Sequence, residues 1–195
     1  MKPLSLKLIP FLILTLALTS CNTQPQTATT QNPKLAALLK NYKQTTVPIV
    51  IRGCNFQNGF PLISLDSMSA IDSSGMLPYC TFKTNGNYTA LIMLGAADCS
   101  LPFIITYNTA GKEISNVWAG IGYCGAGPGF HCSEYMTIKS DFSIYVSDTI
   151  SEAEVDSLSN EIPSTLNKYV LYKKGKLLSN GVIELSDTIR QKLNN

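Results

Sequence analysis

His131 is the only histidine in the 195-residue chain, so any histidine-dependent mechanism has to use it. A Ser-His-Asp or Cys-His hydrolase needs such a histidine as its general base. The neighbouring Cys132 is expected to be oxidised and, on a strand, to point to the opposite face. The sequence contains no Gly-x-Ser-x-Gly nucleophile elbow. A hydrolase that uses His131 is therefore an alternative and not the favoured function.

A pair of carboxylates is the second arrangement that could carry chemistry. Glycosidases place two carboxyl groups roughly 5 to 9 Å apart across the scissile bond. Glu113, Glu134 and Asp141 fall in the predicted β region, where such a pair could form. Nothing in the sequence pairs them, and the favoured interpretation of each is a solvated surface charge. We therefore predict no catalytic residue and no cofactor, and we favour a non-enzymatic protein.

Cysteines suggest a crosslinked loop. Cys124 and Cys132 flank a glycine-rich stretch, and we predict a disulfide between them that closes a hairpin loop. A bridge between Cys54 and Cys80 is the second candidate. Zinc bound by Cys124, His131 and Cys132 is a further alternative, but this spacing matches no standard ligand set, so we predict no metal.

The same loop is a candidate recognition site. It carries no Lys-Ser or Lys-Thr after its glycines, which argues against a phosphate-binding loop. Trp118, Tyr123, Phe130 and His131 form the candidate recognition loop, and Tyr135 could add another flat aromatic face for a glycan or a partner protein. The simpler interpretation is that these aromatic residues belong to the core.

Most of the chain has the pattern of antiparallel strands. Strands are predicted at 88–94, 102–107, 113–121, 134–138 and 142–147, with another near 45–51, where Pro48 favours a sheet edge. In the strand at 142–147, apolar and polar residues alternate, which indicates one buried face. A final hairpin is predicted around Lys173-Lys174-Gly175.

Three segments favour helices. Asn32-Pro33 is typical of a helix start, and apolar residues at helical spacing predict a helix from Pro33 to about Lys43. A capping box at 151–154 predicts a second helix that Pro163 ends. A short helix at 186–193 is also expected. The sequence thus predicts an α+β fold for 33–195, as a single compact domain that is predominantly an antiparallel β meander with two or three short helices.

The N-terminus has the order of a secretory leader. Lys2 and Lys7 precede an apolar run at 8–18 that is too short to span a bilayer. The following Leu18-Thr19-Ser20-Cys21 resembles the lipobox of bacterial lipoprotein precursors. The resemblance implies a signal peptide over 1–20 and a lipidated Cys21, whose acyl chains (palmitate, for example) hold the protein on a membrane. In that family Asn22, in place of an aspartate, favours the outer over the inner membrane of the cell envelope.

Residues 21–32 carry no charge and no strongly apolar side chain, so we interpret them as a flexible, lipid-anchored tether. Without Lys2 and Lys7 the mature chain has 13 basic and 13 acidic residues. This neutral balance argues against nucleic acid as a partner. Residues 88–185 are also similar to small, uncharacterised bacterial lipoprotein domains through the Asn-x-x-Gly-Lys turn at 108–112. The favoured function is a lipid-anchored envelope domain that binds a protein or a glycan; an envelope hydrolase is the alternative. Neither the ligand nor the oligomeric state follows from the sequence.

Overall fold

The computed structural model describes residues 33–40, 42–52, 76–95, 101–125 and 127–193. Within these ranges the chain forms one α-helix, one 3₁₀ turn at Pro163–Thr165 and eleven strands in two sheets. The helix, α1, covers Pro33–Leu39. The strands are β1 Lys43–Thr45, β2 Ile49–Ile51, β3 Leu77–Phe82, β4 Tyr88–Gly95, β5 Leu101–Asn108, β6 Glu113–Trp118, β7 Phe130–Ile138, β8 Ser143–Glu152, β9 Asn167–Leu177, β10 Ile183–Leu185 and β11 Ile189–Lys192. The predicted predominance of antiparallel sheet is confirmed.

The first sheet, sheet A, has the order β1-β3-β4-β5-β6. Strands β3 to β6 follow one another as an antiparallel meander, and β1 pairs parallel to β3 at the edge. The predicted turn after Asn108 joins β5 to β6, where Lys112 N–H donates to Oδ1 of Asn108 over 2.9 Å.

The second sheet, sheet B, has the order β10-β9-β8-β7-β2 and is antiparallel throughout. Strand β9 is long enough to pair with two short strands on one side. Strand β10 pairs with its Gly175–Leu177 end, and β11 pairs with Tyr169–Tyr172.

The inward faces of the two sheets share one apolar core. Ile92 and Ile104 of sheet A and Ile138 and Val146 of sheet B are all fully buried in it. The other face of sheet A carries a smaller buried cluster around Leu91. Tyr42 and the last residue of α1 pack there, so sheet A is apolar on both faces, whereas only the inward face of sheet B carries core residues. The outer face of sheet B is consequently free to carry polar and aromatic side chains.

Two predicted helices are wrong. The capping-box segment begins inside β8, which continues to Glu152 because β7 and β9 both pair with it up to that residue. The segment predicted as a C-terminal helix contains β11, which completes the edge of sheet B. In both cases pairing with neighbouring strands outweighs a local helix preference. The first helix is also shorter than predicted, since it ends at Leu39 and Lys43 already belongs to β1.

The predicted hairpin at Lys173-Lys174-Gly175 is also wrong, because these residues lie inside the continuous strand β9. Glycine is needed at position 175 because two backbones approach closely there. A Cβ atom on Gly175 would lie 2.0 Å from the carbonyl oxygen of Glu184 in β10. The strand predicted near 45–51 is divided into β1 and β2, with the cis Val47-Pro48 bond between them. Strand β6 ends at Trp118, three residues earlier than predicted.

Candidate functional site

A row of three tyrosines lies on the outer face of sheet B. Tyr135 of β7, Tyr145 of β8 and Tyr172 of β9 alternate with inward-facing core residues, so their rings project away from the core. The ring centroids of Tyr135 and Tyr145 are 6.4 Å apart, and those of Tyr145 and Tyr172 are 5.9 Å apart. The second pair is stacked, with 29° between the ring planes. We call these three residues the tyrosine row.

Two cations border the tyrosine row. The guanidinium carbon of Arg52 lies 5.4 Å from the centroid of the Tyr135 ring, and Nζ of Lys174 lies 5.0 Å from that of Tyr172. Both distances are in the range of cation–π attraction. The two cations therefore lie at opposite ends of the row.

A groove runs beside the row and has a volume of about 350 Å³. Thr137 and Ser143 contribute hydroxyl groups to its lining, and Lys139 contributes a further ammonium group. Aromatic faces, hydroxyls and cations therefore meet on one surface of sheet B.

The residues of the predicted recognition loop lie on different elements. Trp118 ends β6 in sheet A, where its ring packs 5.2 Å from that of Phe103. Tyr123 is exposed in the loop at 119–125, and Phe130 lies on the inward side of β7. His131 lies on the outer side of β7, and its Nε2 is in hydrogen-bond contact with Oε1 of Glu161. Of the aromatic residues proposed from the sequence, only Tyr135 belongs to the tyrosine row.

The predicted Cys124–Cys132 disulfide is present and joins the loop at 119–125 to β7. The second predicted disulfide, between Cys54 and Cys80, is wrong, because Cys80 is a free, buried thiol in β3. Burial raises the pKa of this thiol to about 12. Cys54 itself lies outside the described residues, as do Cys21 and the other residues of the leader and tether.

Beneath this loop, the inward face of sheet B carries two buried carboxyl groups. Glu134 of β7 and Asp148 of β8 are paired in register, and their side chains are 3% and 0% exposed. The N–H of Tyr123 donates to Oδ2 of Asp148 over 2.9 Å. Both oxygens of Glu134 and Oδ1 of Asp148 have no hydrogen-bond partner among the described residues.

Burial shifts both carboxyl groups towards the neutral form. It raises the pKa of Glu134 to about 7, and the adjacent negative charge of Asp148 adds to this shift. Burial also raises the pKa of Asp148, although the loop N–H groups of Tyr123 and Cys124 and the charge of Lys173 oppose the increase. Lys173 donates from Nζ to the carbonyl of Gly120 over 3.1 Å, so it holds the loop above the pair.

The candidate carboxylates from the sequence are not brought together. Glu113 is exposed in β6 and contacts Asn116, Asp141 lies exposed in the turn between β7 and β8, and Glu134 is buried on the inward face of β7. For the zinc alternative, Cys124 and Cys132 are bonded to each other and His131 lies on the opposite face of β7. The third group close to these two sulfur atoms is Asp148: a carboxylate oxygen and both sulfurs lie within 4.8 Å of one another.

Sequence reasoning missed the tyrosine row and the Glu134–Asp148 pair. The signal for the row is weak, because Tyr135, Tyr145 and Tyr172 are far apart in the sequence and lie on three different strands. The signal for the buried pair was an acidic residue at an inward position of each of two strands. Phe142, Ile144 and Val146 predict the inward side of β8, and extending that alternation by two residues reaches Asp148.

The chain has no match among known proteins in three comparisons: no family model, no curated protein and no solved structure is similar to it. Within the described residues, no helix has the length and apolar character needed to cross a membrane.

Proposed function

We propose that this protein is a lipid-anchored protein of the cell envelope that binds a negatively charged glycan on the tyrosine row. The observation that carries the proposal is the alignment of three tyrosine rings between Arg52 and Lys174. The anchoring part of the proposal is supported by the lipobox resemblance of residues 18–21 and by the polar tether that follows.

The tyrosine row suits a sugar ligand for a physical reason. Each ring has a flat apolar face and a polar hydroxyl, so it can stack on the C–H face of a sugar and also form a hydrogen bond. The three rings are already positioned by sheet B and by each other, so little conformational entropy is lost on binding. Ser143 and Thr137 at the adjacent groove supply further hydroxyl groups for sugar hydroxyls.

The charge of this surface favours an acidic glycan over a neutral one. The outward positions of β9 include Lys168, Lys174 and Lys176, and Arg52 lies at the opposite side of the sheet. Two carboxylates lie near one end of these lysines: Glu184 is opposite Lys176 in β10, and Asp141 interacts electrostatically with Lys176. A neutral mature chain therefore concentrates positive charge on one face, which attracts carboxylate or phosphate groups on a polysaccharide.

Glycan-array binding by the full chain, purified in detergent, tests this proposal. Tyr145→Ala removes the central ring, and we expect it to weaken binding about tenfold or more, a change of about 1.4 kcal/mol or greater. Tyr123→Ala is the matched control, because Tyr123 is an exposed tyrosine away from the row. Raising the salt concentration should weaken binding to acidic glycans.

Equal binding by Tyr145→Ala and the parent protein would show that the row is not the site. Preference for neutral glycans would contradict the charge argument, and binding only to a partner protein would replace the glycan with the other ligand class. The anchor is tested separately by mass spectrometry of the mature N-terminal peptide, where an unmodified Cys21 would refute lipidation.

A further inference from the structure

Three acceptor oxygens beneath the loop at 119–125 form the basis of a second site. They are both carboxylate oxygens of Glu134 and Oδ1 of Asp148, and none has a donor among the described residues. The two side chains are 97% buried or more. Burying a carboxylate without a partner is costly, so these oxygens require a cation, a proton or an ordered water as partner.

We propose that Glu134 and Asp148 bind a calcium ion beneath the disulfide-linked loop, with the backbone of the loop and water completing its coordination. Calcium takes six to eight oxygen ligands, supplied by carboxylates, backbone carbonyls and water. The three carboxylate oxygens without a partner would supply three of the six ligands that the lower coordination number requires.

A single proton does not satisfy this group of atoms. One proton shared between the two carboxyl groups would satisfy one oxygen of Glu134 and Oδ1 of Asp148, and the second oxygen of Glu134 would still lack a partner. A cation that contacts all three oxygens would leave none of them without a partner.

The charged groups near Glu134 and Asp148 leave a net negative charge that a cation would neutralise. Among the described residues, Lys173 of β9 is the one cationic side chain that acts on the pair, and its Nζ donates to the carbonyl of Gly120. With both carboxylates ionised, Lys173 offsets only one of the two negative charges. The loop residue Tyr123 donates its backbone N–H to Asp148. Further along β9, the ring of Tyr169 is covered by the guanidinium of Arg190 at 3.8 Å.

The available ligand atoms favour calcium over zinc and magnesium. The sulfur atoms of Cys124 and Cys132 are bonded to each other, so the oxidised protein offers oxygen ligands and no thiolate. Magnesium retains several waters, which a site covered by the loop accommodates poorly. The loop backbone is also close: a Cβ atom on Gly120 would lie 3.2 Å from Oε1 of Glu134, and glycine allows this approach.

Thermal unfolding of the full chain with its disulfide intact tests the proposal. The protein is first treated with a chelator, dialysed, and then titrated at pH 8 with CaCl₂ or, for comparison, MgCl₂. We expect calcium to raise Tm by about 5–10 °C once its concentration exceeds Kd about 100-fold. Magnesium should have a much smaller effect, and isothermal titration should give one calcium per chain.

Glu134→Gln should abolish the calcium-dependent shift, whereas the exposed-site control Glu113→Gln should retain it. An infrared difference spectrum of the parent protein, with and without calcium, measures carboxylate coordination without relying on any variant. The proposal is overturned if calcium changes neither Tm nor the carboxylate bands, which would leave a shared proton as the occupant. It is also overturned if Glu134→Gln keeps the shift, or if magnesium acts equally.

Discussion

The buried carboxyl group of Glu134 should make the stability of the protein depend strongly on pH. Its pKa is about 7 in the folded protein and 4.5 when unperturbed. The folded state therefore holds more protons than the unfolded state between these two values, so the free energy of unfolding falls as pH rises through this window. The stabilising contribution is complete below about pH 4.5 and the loss levels off above about pH 7.

The magnitude follows from these two pKa values. One pKa unit corresponds to about 1.4 kcal/mol, and integration between pH 5 and pH 8 gives a loss of about 2–3 kcal/mol for this one group. Glu134→Gln keeps the size of the side chain and removes its ionisation. The variant should therefore lose about 2–3 kcal/mol less than the parent between these two pH values.

Urea unfolding at pH 5 and pH 8 measures this difference. The ionic strength should be fixed, the disulfide intact and a chelator present, so that proton binding alone is compared. Glu113→Gln is the control, and because Glu113 is exposed its pH dependence should match that of the parent. If the Glu134→Gln and parent curves change in parallel with pH, the carboxyl group is not held in a desolvated environment and the argument fails.

Three further outcomes follow from local packing. Gly175→Ala should destabilise the protein by about 1–3 kcal/mol in urea unfolding, since its Cβ would overlap the β10 backbone, whereas Gly127→Ala, with open space around it, should have little effect. Replacing Cys124 and Cys132 together by serine should lower the unfolding free energy by about 2.5 kcal/mol, and an unchanged denaturation midpoint would argue against a stabilising crosslink. Cys80 should resist iodoacetamide at pH 8 in the folded protein and react after denaturation, as peptide mass mapping can show.

The strands of the meander could be predicted because each is indicated by residues that are adjacent in the sequence. In β4, β5 and β8, runs of β-branched and apolar residues lie between clear turns, and the structure confirms strands at all three places. The Cys124–Cys132 bridge was predictable for the same reason, because its two cysteines flank one short loop.

The erroneous helices and the hairpin in β9 depend on distant pairing. The segment at 151–154 has a good capping box, but β7 and β9 supply hydrogen bonds along the whole of β8 that an isolated helix would not match. Gly175 is typical of a turn in the sequence, but in the structure it allows a close approach of two paired strands, because Glu184, which approaches it, belongs to β10.

The sequence by itself determined the strand-rich character, the closed loop and the expectation of a lipid anchor, since each depends on neighbouring residues. Only the tertiary structure decided which side chains share a surface. Tyr135, Tyr145 and Tyr172 become neighbours through the register of sheet B, and Glu134 and Asp148 meet because an antiparallel pair places them opposite each other. Register depends on pairing across the whole sheet, and this is the reason that local patterns in one chain do not reveal either site.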